Sequence, residues 1–364
     1  MIAGNFLYQL IGSKGMKSFF KKSAISLFVM GMASTSFAMS HNNGNQSNAM
    51  WSPHYTGWFI GVDGLDLRPE NGDLDYITLF PATGVTNGSY STTSISPEYQ
   101  WSWRLYGGIK FTDNDDITVS WLRMRADESD STGVVTGNLA NPRFSDSGLW
   151  TGATGKVDFD LDNVFAVWGH SINFNNPWSV RYAAGVEYAK LNSDMSVNGT
   201  DSTLEAVGYT ADNHFTGFGP RADFDMTYHL PYNFALFADA NAALLASTRK
   251  ISEYGNFGSS SPSIIALNAS YFSTRHVIVP HFGARLGVSY SYIFGQAGGE
   301  GASLSALTID AGWQVDSYIH AIERPEVSFG TIGSSTTSTF VTTKTSNFGD
   351  TGFFIGLKYS AGAL

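Results

Sequence analysis

One segment of twelve residues, Gln100–Phe111, constrains the fold of this chain more than any other. It reads QWSWRLYGGIKF, so that every second position from Trp101 to Phe111 is aromatic, aliphatic or glycine, with mostly polar residues between them. Alternation with a period of two is the pattern of a β-strand with one apolar and one wet face. A tilted strand of about 9–11 residues spans a bilayer, and aromatic residues gather at both interfaces. If such strands recur, the chain is predicted to form a transmembrane β-barrel.

The same alternation recurs along the chain and predicts ten strands. The first begins at Gly57, the fifth is centred on Val180–Tyr188, and the other eight are predicted at Gln100–Phe111, Asp116–Arg125, Lys156–His170, Phe215–Tyr228, Phe234–Leu245, Val277–Tyr292, Leu304–Tyr318 and Gly349–Tyr359. Proline donates no hydrogen bond to a sheet, so Pro220 predicts a bulge or a local break in the sixth strand.

The connections between these strands alternate strictly between long and short. The five long ones are Arg68–Tyr99, Ala126–Gly155, Asn192–Asp212, Thr248–Thr274 and Glu323–Asn347, and Asp75–Phe80 is expected to add a short hairpin strand to the first of them. Outer-membrane barrels have short periplasmic turns, long extracellular loops and an even number of strands. The predicted fold is therefore an all-β, antiparallel, up-and-down transmembrane barrel of about ten strands, within a range of eight to twelve.

Composition agrees with this fold. Charged residues make up 14% of the chain, well below the usual share of about 25%, while aromatic residues also reach 14%. A run of 18 apolar residues is absent from the sequence, which excludes a bundle of transmembrane helices. Cysteine is absent as well, so that disulfides and thiolate metal sites are excluded.

The N-terminal region predicts export from the cytoplasm. Lys17, Lys21 and Lys22 precede an apolar run, 24–33, and the residues Ser36-Phe37-Ala38 resemble a signal-peptidase site. We therefore expect a signal peptide at 1–38, a flexible mature N-terminus at 39–56 and the barrel at 57–364. If the signal peptide begins at Met16, its lysines lie at the usual distance from the start, so 1–15 is interpreted as an upstream extension. The alternative is a signal peptide with an unusually long N-terminal region. The predicted location is the bacterial outer membrane.

The charge balance bears on the partners of the chain. The full chain has 21 Lys and Arg against 31 Asp and Glu, and residues 1–38 hold four of the lysines and no acid. The mature chain thus has 17 basic residues and a formal charge of −14, which argues against nucleic acid as a partner. The expected partners are outer-membrane lipid, lipopolysaccharide and the barrel assembly machinery, and homo-oligomers are left open. The sequence predicts neither a cofactor nor a metal.

Charged residues on the wet faces of the strands are the candidate functional residues, because the wet face of a barrel strand faces the lumen. The predicted lumen charges are Arg104, Lys110, Asp158, Asp160, Asp162, Arg181, Glu187, Arg221, Asp223, Asp225, Asp239, Arg285, Asp310 and Asp316. In an open pore such mixed charges bias ion selectivity. In a narrow barrel the same residues form a salt-bridged plug, and ten strands leave both interpretations open.

The run Asp158-Phe159-Asp160-Leu161-Asp162 suggests calcium at first sight. A calcium-binding EF-hand loop needs glycine at its sixth position and glutamate at its twelfth, where this chain has Asn163 and Gly169. That motif is therefore rejected. The spacing of two places the three carboxylates on one face, which we predict to be a charged lumen wall paired with arginines.

Catalysis is not predicted. His281 is the one histidine expected to point inward from the middle of a strand, whereas the others lie near strand ends or in connections. The nucleophile elbow G-x-S-x-G, the zinc motif H-E-x-x-H and a phosphate-binding Walker loop are all absent from the sequence.

Four short motifs carry a family resemblance. They are Gly57–Val62 (GWFIGV), Trp103–Gly108 (WRLYGG), Asp158–Asp162 (DFDLD) and Phe354–Tyr359 (FIGLKY), in that order. With them the chain resembles the Legionella-type major outer membrane proteins, a family of β-barrel porins, over nearly the whole mature sequence. The resemblance implies pore formation. The chain departs from that family in having no cysteine for cross-linking, and from most barrels in ending on Ser360–Leu364 without a C-terminal aromatic residue.

Two functions follow from these observations. The first is a porin that passes small hydrophilic solutes or ions, with a weak preference for cations because of the acidic excess. The alternative is a closed structural or adhesive barrel that acts through its extracellular loops.

Overall fold

The computed structural model describes residues 56–80, 91–112, 114–132, 138–140, 150–174, 177–201, 206–257, 267–295, 303–332 and 336–363. The predicted signal peptide, 1–38, and all but the last residue of the predicted mature N-terminus, 39–56, lie outside these ranges. In the described part of the chain, no helix is long and apolar enough to cross a membrane.

Thirteen strands account for nearly all of the described residues. They are β1 (Thr56–Asn71), β2 (Asp75–Phe80), β3 (Ser91–Ser94), β4 (Gln100–Lys110), β5 (Asp115–Thr132), β6 (Asn138–Ala140), β7 (Trp150–Phe174), β8 (Trp178–Asp201), β9 (Ala206–His229), β10 (Phe234–Phe257), β11 (Leu267–Gly295), β12 (Ser303–Ile332) and β13 (Thr336–Ala363). A single 3₁₀ turn, Pro231–Asn233, joins β9 to β10. The short strand predicted at Asp75–Phe80 is confirmed, with the same bounds.

Ten of these strands close into an antiparallel ring. Around the ring the order is β1, β4, β5, β7, β8, β9, β10, β11, β12 and β13, and β13 pairs again with β1 from Thr56↔Ala363 to Asn71↔Phe348. The predicted up-and-down barrel of ten strands is confirmed. Closure gives each of the ten strands a partner on both sides at the level of the membrane, which a sheet in hydrocarbon requires because unpaired backbone groups cost several kcal/mol there.

The apolar face of the ring points outward between two aromatic belts. Residues such as Val186, Leu286 and Phe218 are 43%, 66% and 56% exposed, as expected for side chains that contact lipid. The upper belt includes Tyr99, Trp101, Trp121, Trp313 and Phe353. The lower belt, beside the short turns, includes Trp58, Phe111, Phe174, Trp178, Phe234 and Phe294.

Pairing of β9 with β10 skips Gly219 and Pro220, although the register on either side is the same. Pro220 nevertheless stays opposite Val186 of β8. The predicted local break at Pro220 is thus confirmed on one edge of the strand, and the missing N–H of proline is its cause.

The long connections differ from the prediction. Asn192–Asp212, Thr248–Thr274 and Glu323–Asn347 were predicted as loops, but β8–β9, β10–β11 and β12–β13 run far into them as paired hairpins. The β10–β11 ladder, for example, extends to Phe257↔Leu267. The alternation of polar and apolar residues is weak in these segments, so the sequence alone did not predict strands there. Their strand structure depends on pairing with a neighbouring strand.

Above the upper belt the inward faces of the strands form an apolar core inside the barrel. Leu65, Phe159, Leu161, Phe215 and Phe348 are each at most 3% exposed there. The described parts of the connection between β1 and β4 fold into the mouth of the barrel and add further buried side chains to the same core, namely Leu74, Tyr76, Ile77 and Ile95. We refer to this core as the apolar plug.

Hydrogen bonds anchor the connection in the mouth. The Tyr76 hydroxyl lies 2.7 Å from the Thr132 hydroxyl of β5, and the Tyr209 hydroxyl of β9 donates to the Asp75 carbonyl at 3.3 Å. The connection therefore contacts walls on two sides of the barrel, which positions the apolar plug directly above the charged part of the lumen.

Candidate functional site

The charged lumen lies below the apolar plug, at the level of the lipid-facing band. Strands supply its residues at every second position, so each charge sits on the inward face because its neighbours in sequence face lipid. We call this set of inward charges and their partners the lumen network.

Glu187 of β8 is the centre of the lumen network and is fully buried. Its carboxylate accepts hydrogen bonds from Arg221 Nη1 at 2.6 Å and from Asn163 Nδ2 at 2.7 Å, and it lies 2.8 Å from His281 Nδ1. Arg221 also donates to Asp223 at 2.7 Å. A buried carboxylate persists only with such partners, because desolvation of an isolated charge is very costly.

A second group of charges joins β1, β4 and β11. The fully buried Asp63 accepts a hydrogen bond from Arg285 Nη2 at 2.9 Å and lies 3.5 Å from Arg104 Nη1. Arg104 donates in addition to Gln314 Oε1 of β12 at 2.9 Å. The Arg285 guanidinium lies over the Phe354 ring, 4.1 Å from its centre. These contacts link β1 and β4 to β11 and β12, which lie three places away around the ring.

Arg181 of β8 links β5, two places away in the ring, to the adjacent β9. Its guanidinium crosses Gly169 of β7 and donates to Asp116 of β5 at 2.6 and 2.8 Å. On the other side it donates to Asp225 of β9 at 2.7 Å. A Cβ on Gly169 would lie 2.4 Å from the guanidinium, so glycine is needed there for the bridge.

One hydrogen bond crosses the whole lumen. Asn163 Nδ2 on β7 donates to the Tyr318 hydroxyl on β12 at 2.9 Å, and these two strands are five places apart in a ring of ten. Tyr318 is 1% exposed and stacks on the His281 ring, with 4.1 Å between ring centres. The two walls of the barrel are therefore in direct contact through side chains at this level.

One cavity lies within the lumen network. A cavity of about 160 Å³ lies among Arg104, Arg221, Asp239, Arg285 and Tyr318, together with other inward residues. That is room for a few water molecules, whose share of liquid volume is about 30 Å³ each. Polar walls of this kind favour ordered water over an empty void.

Eleven of the fourteen predicted lumen charges face the lumen. They are Arg104, Lys110, Arg181, Glu187, Arg221, Asp223, Asp225, Asp239, Arg285, Asp310 and Asp316, each on the inward positions of its strand. Most of them meet in the lumen network, with arginines and acids interleaved.

The prediction that Asp158, Asp160 and Asp162 face the lumen is wrong. In β7 their neighbours Val157, Phe159 and Leu161 point inward, at most 3% exposed, and belong to the apolar plug. The three aspartates therefore lie on the outer surface of the barrel. This part of β7 is above the lipid, where the polarity of the two faces is reversed: the outside is aqueous and the inside is dry.

The aspartates of β7 form a ladder of ion pairs on this outer wall. Asp162 accepts hydrogen bonds from Arg123 at 3.0 Å and from the Trp121 indole at 3.0 Å, and Asp160 accepts one from Arg125 at 3.2 Å. The Lys156 ammonium donates to Asp158 at 2.8 Å, which raises the pKa of Lys156. Partial burial, and then the charge of Asp212, raises the pKa of the neighbouring Asp194 carboxyl.

Single-cysteine variants test this orientation, because the natural chain has no cysteine. On intact cells, D158C is expected to react almost completely with a membrane-impermeant maleimide, since the Asp158 side chain is 47% exposed. V157C, one residue away and fully buried in the wild type, is expected to stay almost unmodified until the barrel is unfolded. The opposite order of reactivity would restore the lumen assignment of the aspartates.

Sequence reasoning missed several members of the lumen network. Asp63, Asn163 and Tyr318 were not among the predicted charges, although they make hydrogen bonds of 2.9 Å within it. Asp63 follows the wet-face pattern of Phe59 and Gly61, which was a usable signal. Asn163 and Tyr318 carried no signal, since neither is charged and their meeting depends on how the ring closes.

Comparison with known proteins identifies the family to which the chain belongs. The sequence pattern of the family described as Legionella pneumophila major outer membrane protein precursor matches residues 52–361, most of the chain. The chain belongs to this family. The resemblance noted from four short motifs is thereby confirmed, and the family places the protein in the bacterial outer membrane. Among curated proteins, no sequence matches the chain.

Solved structures of outer-membrane barrels are similar to the chain in fold. The outer membrane protease OmpT from Escherichia coli matches with a TM-score of 0.44 and 9% identity, over 86% of this chain and 99% of that one. The translocator domain of the autotransporter NalP from Neisseria meningitidis matches with a TM-score of 0.33 and 8% identity, over 93% of this chain and 96% of that one. The outer membrane protein OprG from Pseudomonas aeruginosa matches with a TM-score of 0.30 and 11% identity, over 65% of this chain and 95% of that one. Likeness at this level says nothing about the activity of this family member.

Proposed function

We propose that this protein is a closed outer-membrane barrel that acts at the cell surface through the hairpins it raises above the membrane. One observation carries the proposal: the Asn163–Tyr318 hydrogen bond joins opposite walls of the ring at 2.9 Å. An open diffusion pore needs a continuous aqueous path past this level, and the cavity beside the contact measures only about 160 Å³.

The energetics of the lumen support closure. A solute path would require separation of Glu187 from Arg221 and of Asp63 from Arg285, and loss of a partner from a buried ion pair costs about 3–5 kcal/mol. A solute would also have to cross the apolar plug. Its side chains are stabilised by about 25 cal/mol for each Å² of apolar surface removed from water, and opening the plug would lose that free energy. Thermal fluctuation of a few kcal/mol does not open both barriers together.

The hairpins supply the surface on which such a barrel acts. The β10–β11 ladder continues about ten residues beyond Ser247, roughly 30 Å of strand at about 3.3 Å per residue. The β12–β13 ladder reaches Ile332↔Thr336. Continuous pairing makes these hairpins stiffer than free loops, and a stiff platform loses less entropy on binding.

The proposal retains the partners expected from the sequence. Lipid and lipopolysaccharide surround the outward band between the aromatic belts, and the barrel assembly machinery inserts the chain. Homo-oligomers stay an open alternative. No catalytic role is part of the proposal.

A porin is the second candidate, and one observation favours it. The lower lumen keeps arginines and acids around a polar cavity, whereas a purely structural barrel would gain more from apolar filling. In this second reading the Asn163–Tyr318 contact is a gate, and solute passes only after the lumen network rearranges.

Conductance of the refolded mature chain in planar bilayers separates the two candidates. We expect no steady single-channel steps from the wild type, because the lumen network and the apolar plug are in series. Swelling of liposomes in small sugars should likewise stay at the level of protein-free vesicles. A general diffusion porin, reconstituted in the same way, is the positive control.

Steady, voltage-independent steps from most inserted wild-type molecules would overturn the closed-barrel proposal in favour of the porin. A variant with both Asn163→Ala and Tyr318→Ala checks the barrier: it removes the contact between the walls and should add brief, small openings at most, because the apolar plug remains.

A further inference from the structure

An open cleft of about 870 Å³ lies at the upper end of the wall formed by β1, β13 and β12, where inward residues such as Asp316, Asp350 and Leu74 also line it. Arg68 and Glu70 of β1, Ser317 of β12 and Asn347 of β13 line it on outward positions of their strands. Its volume falls within the range of about 300–1,000 Å³ that is common for ligand sites. We call it the outer cleft.

A strained β-bulge shapes the outer cleft. The register of β12 on β13 shifts between Tyr318 and Ile322, and His320 in this bulge has a φ of 58°, in the left-handed region. Two hydrogen bonds hold the conformation: the His320 N–H donates to Asn347 Oδ1 at 2.9 Å, and the His320 carbonyl accepts from Arg249 Nη1 at 2.6 Å. Bulges commonly re-aim a side chain at a functional site, and strain of this type needs such support.

Aromatic rings border the lower edge of the outer cleft. Val315 lines the cleft, and Trp313 is the next outward residue below it on β12. Tyr99 packs edge-on against Trp313 with 6.4 Å between ring centres, and the two are 41% and 46% exposed. The Arg68 guanidinium lies over the Tyr99 ring, 5.7 Å from its centre. The cleft thus offers exposed ring faces beside polar groups.

The polar groups of the outer cleft suit hydroxyl-rich ligands better than anions. Arg68 donates to Glu70 at 2.7 Å, so the pair presents both donors and an acceptor with little net charge. Asn347 and Ser317 add amide and hydroxyl groups that donate and accept. A phosphate would meet Glu70 as well as Arg68. Neutral donors and acceptors next to aromatic faces match a saccharide, which has both hydroxyls and apolar ring faces.

The height of the cleft selects the source of that saccharide. Ser317 lies four residues above Trp313 of the upper aromatic belt, roughly 13 Å along the strand. The polar headgroup layer occupies about 5–8 Å on each side of the hydrocarbon core. The outward residues of the outer cleft therefore lie at the height where sugars attached to the lipids of the outer leaflet begin.

We propose that the outer cleft binds the saccharide core of lipopolysaccharide in the surrounding outer leaflet. Arg68, Glu70, Ser317 and Asn347 contact sugar hydroxyls, and Tyr99 and Trp313 contact the apolar sugar faces. These six residues are on the outer surface, so the proposed sugar contacts need neither an open nor a closed lumen.

Binding of purified lipopolysaccharide to the refolded mature protein tests the site. The probes are a rough lipopolysaccharide that carries its core sugars, lipid A stripped of those sugars, and the free core oligosaccharide. We expect S317W, which fills the cleft, and R68A, which removes a polar contact, each to weaken binding of the core-bearing form about tenfold. T216A is the matched control, because Thr216 is an exposed outward residue of β9 on a distant wall, and its binding should equal that of the wild type.

Lipid A alone should bind all four proteins equally, and the free core should compete with the core-bearing form. Heat-modified migration on gels shows that each variant has folded. Wild-type affinity for the core-bearing form in both S317W and R68A would overturn the proposal, as would equal affinity of the wild type for stripped lipid A. Binding of the free core without binding of the core-bearing form would overturn lipopolysaccharide as the source.

Discussion

Glutamine in place of Glu187 is expected to destabilise the barrel by about 3 kcal/mol or more, because the lumen network loses its central charge. Arg221 Nη1 lies 2.6 Å from this carboxylate and is itself almost fully buried. The glutamine amide has the same shape, but its N–H₂ end faces cations and donors instead of accepting from them. The midpoint of urea unfolding in lipid vesicles, with an unchanged slope, measures the loss.

Glu70→Gln is the matched control for this change. Glu70 also pairs with an arginine, Arg68, at 2.7 Å, yet both side chains are largely exposed, at 55% and 42%. Exposed pairs contribute about 0–1 kcal/mol, so E70Q should unfold close to the wild-type midpoint. Equal midpoints for E187Q and E70Q would show that the lumen network is hydrated and adaptable, which would also weaken the case for a closed barrel.

Aspartate in place of Leu161 is expected to prevent folding of the barrel, because it places a carboxylate without a partner inside the apolar plug. Leu161 is fully buried among apolar side chains of several strands. Even if the carboxyl takes up a proton, the loss of leucine packing at about 2–5 kcal/mol adds to a polar group buried without a partner, and the sum is comparable to the 5–15 kcal/mol by which proteins are usually stable. Loss of the folded, heat-modifiable band after refolding into vesicles is the readout.

Leucine in place of Asp162, the next residue, is the paired test and should fold. Asp162 is on the outer wall, where D162L loses a partly exposed ion pair with Arg123 that contributes about 1 kcal/mol at most. If β7 had the orientation first predicted from the sequence, D162L would be the lethal change and L161D the mild one. The two variants together therefore decide which face of β7 is dry.

Much of the barrel was readable from the sequence. The alternation at Trp101–Phe111, Val180–Tyr188 and Val277–Tyr292 predicts strands and their lipid-facing residues correctly, since a segment within hydrocarbon has one face that must be apolar. Even the minor strand Asp75–Phe80 and the pairing break at Pro220 were predicted from local composition and chemistry. Local rules suffice wherever the surroundings of a strand are uniform.

Asp158–Asp162 shows where these rules end. A period of two separates two faces of a strand, but it does not state which face meets which medium. Within the membrane the apolar face is outside, whereas above the membrane the apolar plug makes the inside dry. The same alternation therefore has the opposite meaning once β7 leaves the lipid, and only the tertiary structure locates that level.

By itself, then, the sequence determined a ring of ten lipid-spanning strands, its aromatic belts and the inward position of eleven charges, because each of these depends on neighbours along one strand. The tertiary structure alone decided that Asn163 meets Tyr318 across the lumen, that Arg181 passes over Gly169, and that a strained His320 shapes the outer cleft. Such contacts join residues far apart in the chain. They depend on how the strands stagger as the ring closes, which alternation within single strands does not encode.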